Sequence, residues 1–153
     1  MVMVRARAGN AQETYSFLLS RTCGIPTPTR RIYWTNVGTD TIGRANPKTQ
    51  NINQTFINTT DVGFGMAVDS SHIYWANHVN NTIGRADVNG QNVDQNFITG
   101  ASRPYCVAVD SRYIYWTNAL GNTIGQADLD WQNVNQSFVP NCPSPLGIAV
   151  DPD

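Results

Sequence analysis

The chain has 153 residues, enough for one domain, and its formal net charge of -1 provides no basic field for nucleic acid. No run is long and apolar enough to span a membrane as a helix. Four Trp, six Tyr and 17 Asn, with only 14% charged residues, describe an all-β chain, because Asn serves turns better than helix interiors.

Residues 1–30 match no repeat and are expected to form a poorly ordered tail. Arg5, Arg7, Arg21 and Arg30 against Glu13 give it a formal charge of +3. Ala11 to Arg21 has room for one short helix, and Ile25-Pro26-Thr27-Pro28 reads as an extended linker. The apolar run Tyr15–Leu19 is too short for a secretory signal, and Glu13 stands just before it. Cys23, Cys106 and Cys142 are too few and too scattered for a disulfide framework, although a Cys106–Cys142 bridge stays open. No Cys-x-x-Cys or Cys/His cluster is present, so a zinc site is not expected, and no cofactor is predicted except magnesium under the enzymatic alternative below.

From residue 31 the sequence is periodic. Ile32-Tyr33-Trp34, Ile73-Tyr74-Trp75 and Ile114-Tyr115-Trp116 are spaced by 41 residues. The same step relates Thr41-Ile42-Gly43, Thr82-Ile83-Gly84 and Thr123-Ile124-Gly125, and also Phe56, Phe97 and Phe138. It relates Asp69, Asp110 and Asp151, each closing an Ala-Val-Asp. Three repeats follow, over 31–71, 72–112 and 113–153. Each holds four strand candidates, a to d. Strand a covers about Gly65–Val68, Cys106–Val109 and Gly147–Val150, and b is the Ile-Tyr-Trp segment. Strand c covers about Thr82–Asp87 and d about Val93–Ile98, with their equivalents. Asn89-Gly90 is the expected c–d hairpin turn, with both residues tolerating positive φ. Four strands in some 40 residues is the size of a propeller blade. In strand b, Ile73 and Trp75 point to one face and Tyr74 to the other, which suits a blade covered on both sides.

These residues resemble the low-density-lipoprotein-receptor class B, or YWTD, propeller repeat. The motif stands here as Tyr33-Trp34-Thr35-Asn36, Tyr74-Trp75-Ala76-Asn77 and Tyr115-Trp116-Thr117-Asn118. The resemblance implies an all-β propeller of 41-residue, four-stranded blades. It also implies an extracellular or cell-envelope setting and a non-enzymatic role in binding a protein or glycan. Asn replaces the motif's Asp in all three copies, so neutral hydrogen bonds are expected in place of an ionic network. The family's ring has six blades, and this chain has material for three. Ile42–Ala45 and Ile83–Ala86 resemble a second propeller group, the streptogramin B (virginiamycin B) lyases, which implies a magnesium-dependent enzyme as the alternative. That group's Glu has no counterpart in the repeats, because the only Glu is Glu13. A self-associating structural propeller is a third reading.

Residues common to the repeats read as structural: Tyr33, Trp34, Asn36, Tyr74, Trp75, Asn77, Tyr115, Trp116 and Asn118, with the turn formers Asp69, Asp110 and Asp151. Arg44 and Arg85 read as braces between blades; their third equivalent is Gln126. Residues that break the repeat in the b–c and d–a loops are the binding candidates. They are Asp40, Asp61, Phe64, His78, Arg103 and Tyr105, expected as a mixed polar and aromatic rim on one face. Trp131, in a c–d turn, is expected on the opposite face. The array starts on a b strand and ends on an a strand, which leads to the expectation of a homodimer that completes a six-bladed ring by strand exchange.

Overall fold

The computed structural model of the protein describes residues 30–151. The expectations for the tail, including the short helix, the linker and Cys23, therefore lie outside the described residues. Within them the chain is all-β with no helix, in three antiparallel sheets that follow one another along the sequence. The first is β1 (Ile32–Asn36), β2 (Thr41–Asn46) and β3 (Asn51–Asn58). The second is β4 (Met66–Val68), β5 (His72–Asn77), β6 (Thr82–Asp87) and β7 (Asp94–Thr99). The third is β8 (Pro104–Val109), β9 (Tyr113–Asn118), β10 (Thr123–Asp128) and β11 (Asn135–Val139). In each, strands pair in sequence order, as a meander.

One register repeats through all three sheets. Trp34 pairs with Gly43, Trp75 with Gly84 and Trp116 with Gly125. Each indole lies flat on its partner glycine, so a Cβ at any of the three would overlap the ring. The Gly of the Ile-Gly segments is thus explained by packing. Register shifts follow the glycine in every sheet, between Ile42 and Arg44, Ile83 and Arg85, and Ile124 and Gln126.

Strand b buries both faces in the middle sheet. Ile73 and Trp75, both fully buried, cluster with Ile42, Ile57 and Val62 from the first sheet and the loop after it. Tyr74, also fully buried, faces the other way, into a cluster with Val107, Ile114 and Trp116 of the third sheet. The alternation read from the sequence is the packing observed. The small-residue positions of strand a meet where sheets converge: a Cβ on Gly65 would stand 2.6 Å from Cys106 Cα.

Two expectations change. Gly147–Val150 is not a strand, and belongs to no ladder. A strand needs a hydrogen-bonded neighbour, and no b strand lies beside this segment among the described residues. The Asn89-Gly90 turn is also longer than a two-residue hairpin. Only Gly90 of the pair has positive φ, at 89°. Gly90 N–H donates to Asp87 O at 2.8 Å and Asp87 N–H to Gln91 O at 3.0 Å, while Asn89 Oδ1 accepts from Gln91 N–H. The asparagine side chain takes over a turn bond, so its backbone need not adopt the left-handed form. Cys106 and Cys142 are free thiols, so the open bridge is not made.

Candidate functional site

The strands end in two sets of loops. One set follows the motif asparagines, which organise it, with Asn77 and Asn118 buried and Asn36 half-buried. Asn77 Nδ2 donates to Thr82 Oγ1 at 2.9 Å and to Gln95 O at 2.7 Å, and Thr82 Oγ1 donates to Gln95 O at 2.8 Å. Asn36 and Asn118 make the same bonds, to Thr41 and Gln54 O and to Thr123 and Gln136 O. These are the neutral hydrogen bonds expected when Asn replaces Asp, and they tie strand b to c and d without a buried charge.

The other motif residues hold the far ends of the strands. Asp69 Oδ1 accepts from the Ser71 and His72 amides, and Oδ2 from Tyr74 Oη at 3.0 Å. Asp110 does the same with Arg112, Tyr113 and Tyr115. Burial works against the Asp110 carboxylate, but these hydrogen bonds outweigh it and hold its pKa below the usual 3.8. Burial first, and the Asp69 charge second, push the Tyr74 phenol well above its usual 10.0. Asp151 is exposed, at the end of the described residues.

Arg44 lies 3.7 Å above the Phe56 ring and its guanidinium donates to Val88 O of the next sheet at 3.5 Å. Arg85 lies over Phe97 at 4.0 Å, with Trp131 of the third sheet 5.7 Å away. Both arginines therefore bridge sheets, as read from their positions. Trp131 is 52% exposed and packs edge-on against Phe97 at these far ends, opposite the candidate rim.

The rim residues fall into two kinds. Phe64, His78 and Tyr105 form one aromatic cluster. Phe64 and Tyr105 stack with centroids 5.1 Å apart and planes 14° apart. The His78 ring stands edge-on to Tyr105 at 4.4 Å and to Phe64 at 5.9 Å. His78 Nδ1 also lies 3.4 Å from Pro104 O. Phe64 is 61% exposed, so its open ring face is available to a ligand. Beside it is a shallow cavity of about 390 Å³, lined in part by Val37, Asp40, Asp61, Phe64, His78 and Val79.

Asp40, Asp61 and Arg103 instead hold loops in place. Asp61 Oδ2 accepts the Val79 and Asn80 amides, tying the d–a loop to the next b–c loop. Asp40 Oδ1 accepts the Val62 amide at 3.4 Å. Asn81 Oδ1 accepts from Arg103 N–H at 2.8 Å, and Asn122 Oδ1 from Ser144 N–H at 2.9 Å. Positions 40, 81 and 122 are one column at the 41-residue step, all with positive φ near 50–60° (49°, 59° and 55°). Asp40 is thus a latch that is Asn in the other copies. Arg103 joins the loop cluster by its backbone, with its side chain exposed. Phe64 and Tyr105 also share a column, whose third member is Leu146, 56% exposed.

One functional column was not picked out from the sequence. Gln54, Gln95 and Gln136 repeat at 41 residues. Gln54 and Gln136 accept from Trp34 and Trp116 Nε1 at 3.1 and 3.0 Å. Gln95 and Gln136 donate to Asn58 O and Thr99 O of the preceding sheet. In the middle sheet Trp75 Nε1 and Gln95 Oε1 are both buried without a partner.

A scan against protein-family models found no match, and a search of curated proteins found none. Solved structures do match. A nidogen/laminin complex aligns with 22% identity and a TM-score of 0.62, over 79% of this chain and 48% of that one. A catalytically inactive virginiamycin B lyase from Staphylococcus aureus, solved with quinupristin, aligns with 20% identity and a TM-score of 0.64, over 80% and 42%. A further streptogramin B lyase structure aligns with 20% identity and a TM-score of 0.62, over 78% and 41%. This chain spans less than half the length of each. At these identities the likeness shows the fold alone, that of a β-propeller built from antiparallel sheets.

Proposed function

We propose that this chain is a non-enzymatic binding propeller, which recognises a protein or glycan through the b–c and d–a loops of one face. The observation that carries the reading is the exposed Phe64 ring, stacked on Tyr105 and backed by His78 beside the shallow cavity. A large aromatic held rigid yet open to solvent is a poor choice for a surface unless something packs on it. The latches at Asp40 and Asn81 and the Asp61 bonds fix the loops beneath it, so little order is lost on binding. The likeness to a nidogen/laminin complex agrees with a binding role. The chain is divided, in this proposal, into a non-repeat segment over 1–30 and three repeats over 31–153.

The test is a glycan and protein array probed with the full chain and with Phe64→Ser. A ligand bound at least about tenfold more weakly by the variant supports the reading, since a central aromatic anchor is worth more than 1.4 kcal/mol. Unchanged binding refutes it. The lyase alternative is favoured by the matches to streptogramin B lyases. Magnesium-dependent turnover of a streptogramin B, lost in His78→Ala, would establish that alternative instead.

A further inference from the structure

The shallow cavity beside Phe64 joins apolar walls to carboxylate oxygens that the fold does not use. Val37 and Val79, both exposed, and the buried Val62 present methyl groups to it. Two neutral polar side chains of the lining bond to each other, Asn80 Nδ2 donating to Thr60 Oγ1 at 3.4 Å. Asp61 holds its loop through Oδ2 alone, which accepts the Val79 and Asn80 amides. Asp40 holds its own through Oδ1, which accepts the Val62 amide. Among the described residues, Asp61 Oδ1 and Asp40 Oδ2 accept no hydrogen bond. Neither carboxylate pairs with a Lys or Arg there, the ion pairs being those of His72. Two anchored carboxylates thus stand beside an exposed aromatic ring that is stacked on Tyr105. We infer that this cavity takes an arginine side chain presented by a protein partner, its stem on the valines and its guanidinium between the Phe64 ring and the two carboxylates.

The inference rests on the binding face proposed for these loops and names the chemistry of its partner. Arginine suits each part of the cavity. Its aliphatic stem covers apolar surface while its head stays polar. Its planar guanidinium stacks on an aromatic ring and still donates N–H groups to oxygens at its edge. Lysine holds its charge in a compact, strongly hydrated ammonium and gains less from the ring. A neutral glycan leaves both carboxylates without a counter-charge. Arg103 is the one Lys or Arg of these loops, and it reaches neither carboxylate. At the opposite strand ends the chain itself sets arginine on phenylalanine twice, Arg44 over Phe56 at 3.7 Å and Arg85 over Phe97 at 4.0 Å. Among the described residues, no arginine lies over Phe64. The backbone amides that hold Asp40 and Asp61 fix both carboxylates before a partner arrives, so little order is lost on binding.

The test is an NMR titration of the full chain with end-capped Gly-Gly-Xaa-Gly-Gly peptides, where Xaa is arginine, citrulline, lysine or leucine. Citrulline keeps the shape of arginine and loses its charge. The arginine peptide should shift the amides of Asp61–Phe64 and Val79–Asn80. It should bind at least about tenfold more tightly than the citrulline peptide, the worth of a charge-assisted hydrogen bond. Phe64→Ser, Asp40→Asn and Asp61→Asn should each weaken the arginine peptide severalfold. Asp40→Asn keeps the latch, because Asn81 and Asn122 make the equivalent bond in the other copies, so a loss there is not a loss of folding. Raising the salt from about 0.1 M to about 1 M should weaken the arginine peptide, because screening acts on charge. Equal binding of the citrulline or leucine peptide overturns the inference and leaves an apolar binding face standing. Equal or tighter binding of the lysine peptide overturns the choice of arginine. Arginine binding that survives both Asp→Asn changes places the cation elsewhere and overturns it too. Loop amides that respond to none of the four peptides overturn it, while the array with Phe64→Ser reads the fate of the binding face separately.

Discussion

Replacing Trp75 by Ala tests the packing account at its centre. The side chain is fully buried, flat on Gly84, and packed against Ile42, Ile57 and Val62. Removing a large aromatic from such a site costs about 3–5 kcal/mol, since the rigid sheets around it cannot collapse into the space. One effect opposes this. Trp75 Nε1 has no partner, and deleting a buried unpaired donor returns about 1 kcal/mol or more. The net cost should fall near 3 kcal/mol, or a drop in Tm of roughly 10 °C for a domain of this size. Trp131→Ala is the control, because that ring is half exposed and meets Phe97 edge-on, with the Arg85 guanidinium 5.7 Å away. Its cost should stay near 1 kcal/mol. The assay is urea denaturation followed by circular dichroism, with both variants and the parent chain at one concentration. A Trp75→Ala cost within experimental error of Trp131→Ala would refute the placement of Trp75 between two sheets.

Two further predictions concern the same scaffold. Gly84→Ala should cost about 1–3 kcal/mol, because its Cβ overlaps the Trp75 indole and one of the two must shift; urea denaturation checks it. Stability should fall at both ends of the pH range. The Tyr74 and Tyr115 phenols are raised in the fold, so unfolding releases protons above pH 10.0 and stability is lost as pH rises past that value. Asp110 is lowered, so its contribution is complete above its unfolded pKa near 3.8 and is lost as pH falls through the lower folded value. Thermal melts across pH read both limbs, and Tyr74→Phe should flatten the alkaline one.

The fold was legible where one residue type holds its column. Ile-Tyr-Trp at three positions gave strand b, and alternation along it gave the split between Trp75 and Tyr74. Asn36, Asn77 and Asn118 were readable as a neutral network because the substitution is the same in every copy. Columns whose chemistry changes were harder to see. Asp40 reads as a repeat-breaking charge until its latch to Val62 is set beside those of Asn81 and Asn122. Phe64, Tyr105 and Leu146 are likewise one column with three side chains, and only the stacking makes it a surface. The glutamines at 54, 95 and 136 hold one type and so carried the periodic signal, yet they were not picked out. The failure of Gly147–Val150 to form a strand had no local signal, because pairing depends on what lies beside the segment.

The most direct measurement of the binding face is an amide chemical-shift map, recorded by NMR as the ligand selected on the array is added to the full chain. The account predicts that the shifts gather at Asp61–Phe64, His78–Asn81 and Arg103–Tyr105, where the loops meet around the aromatic cluster. Shifts gathered instead at the far ends of the strands, around Asp69, Gly90 and Trp131, would contradict it.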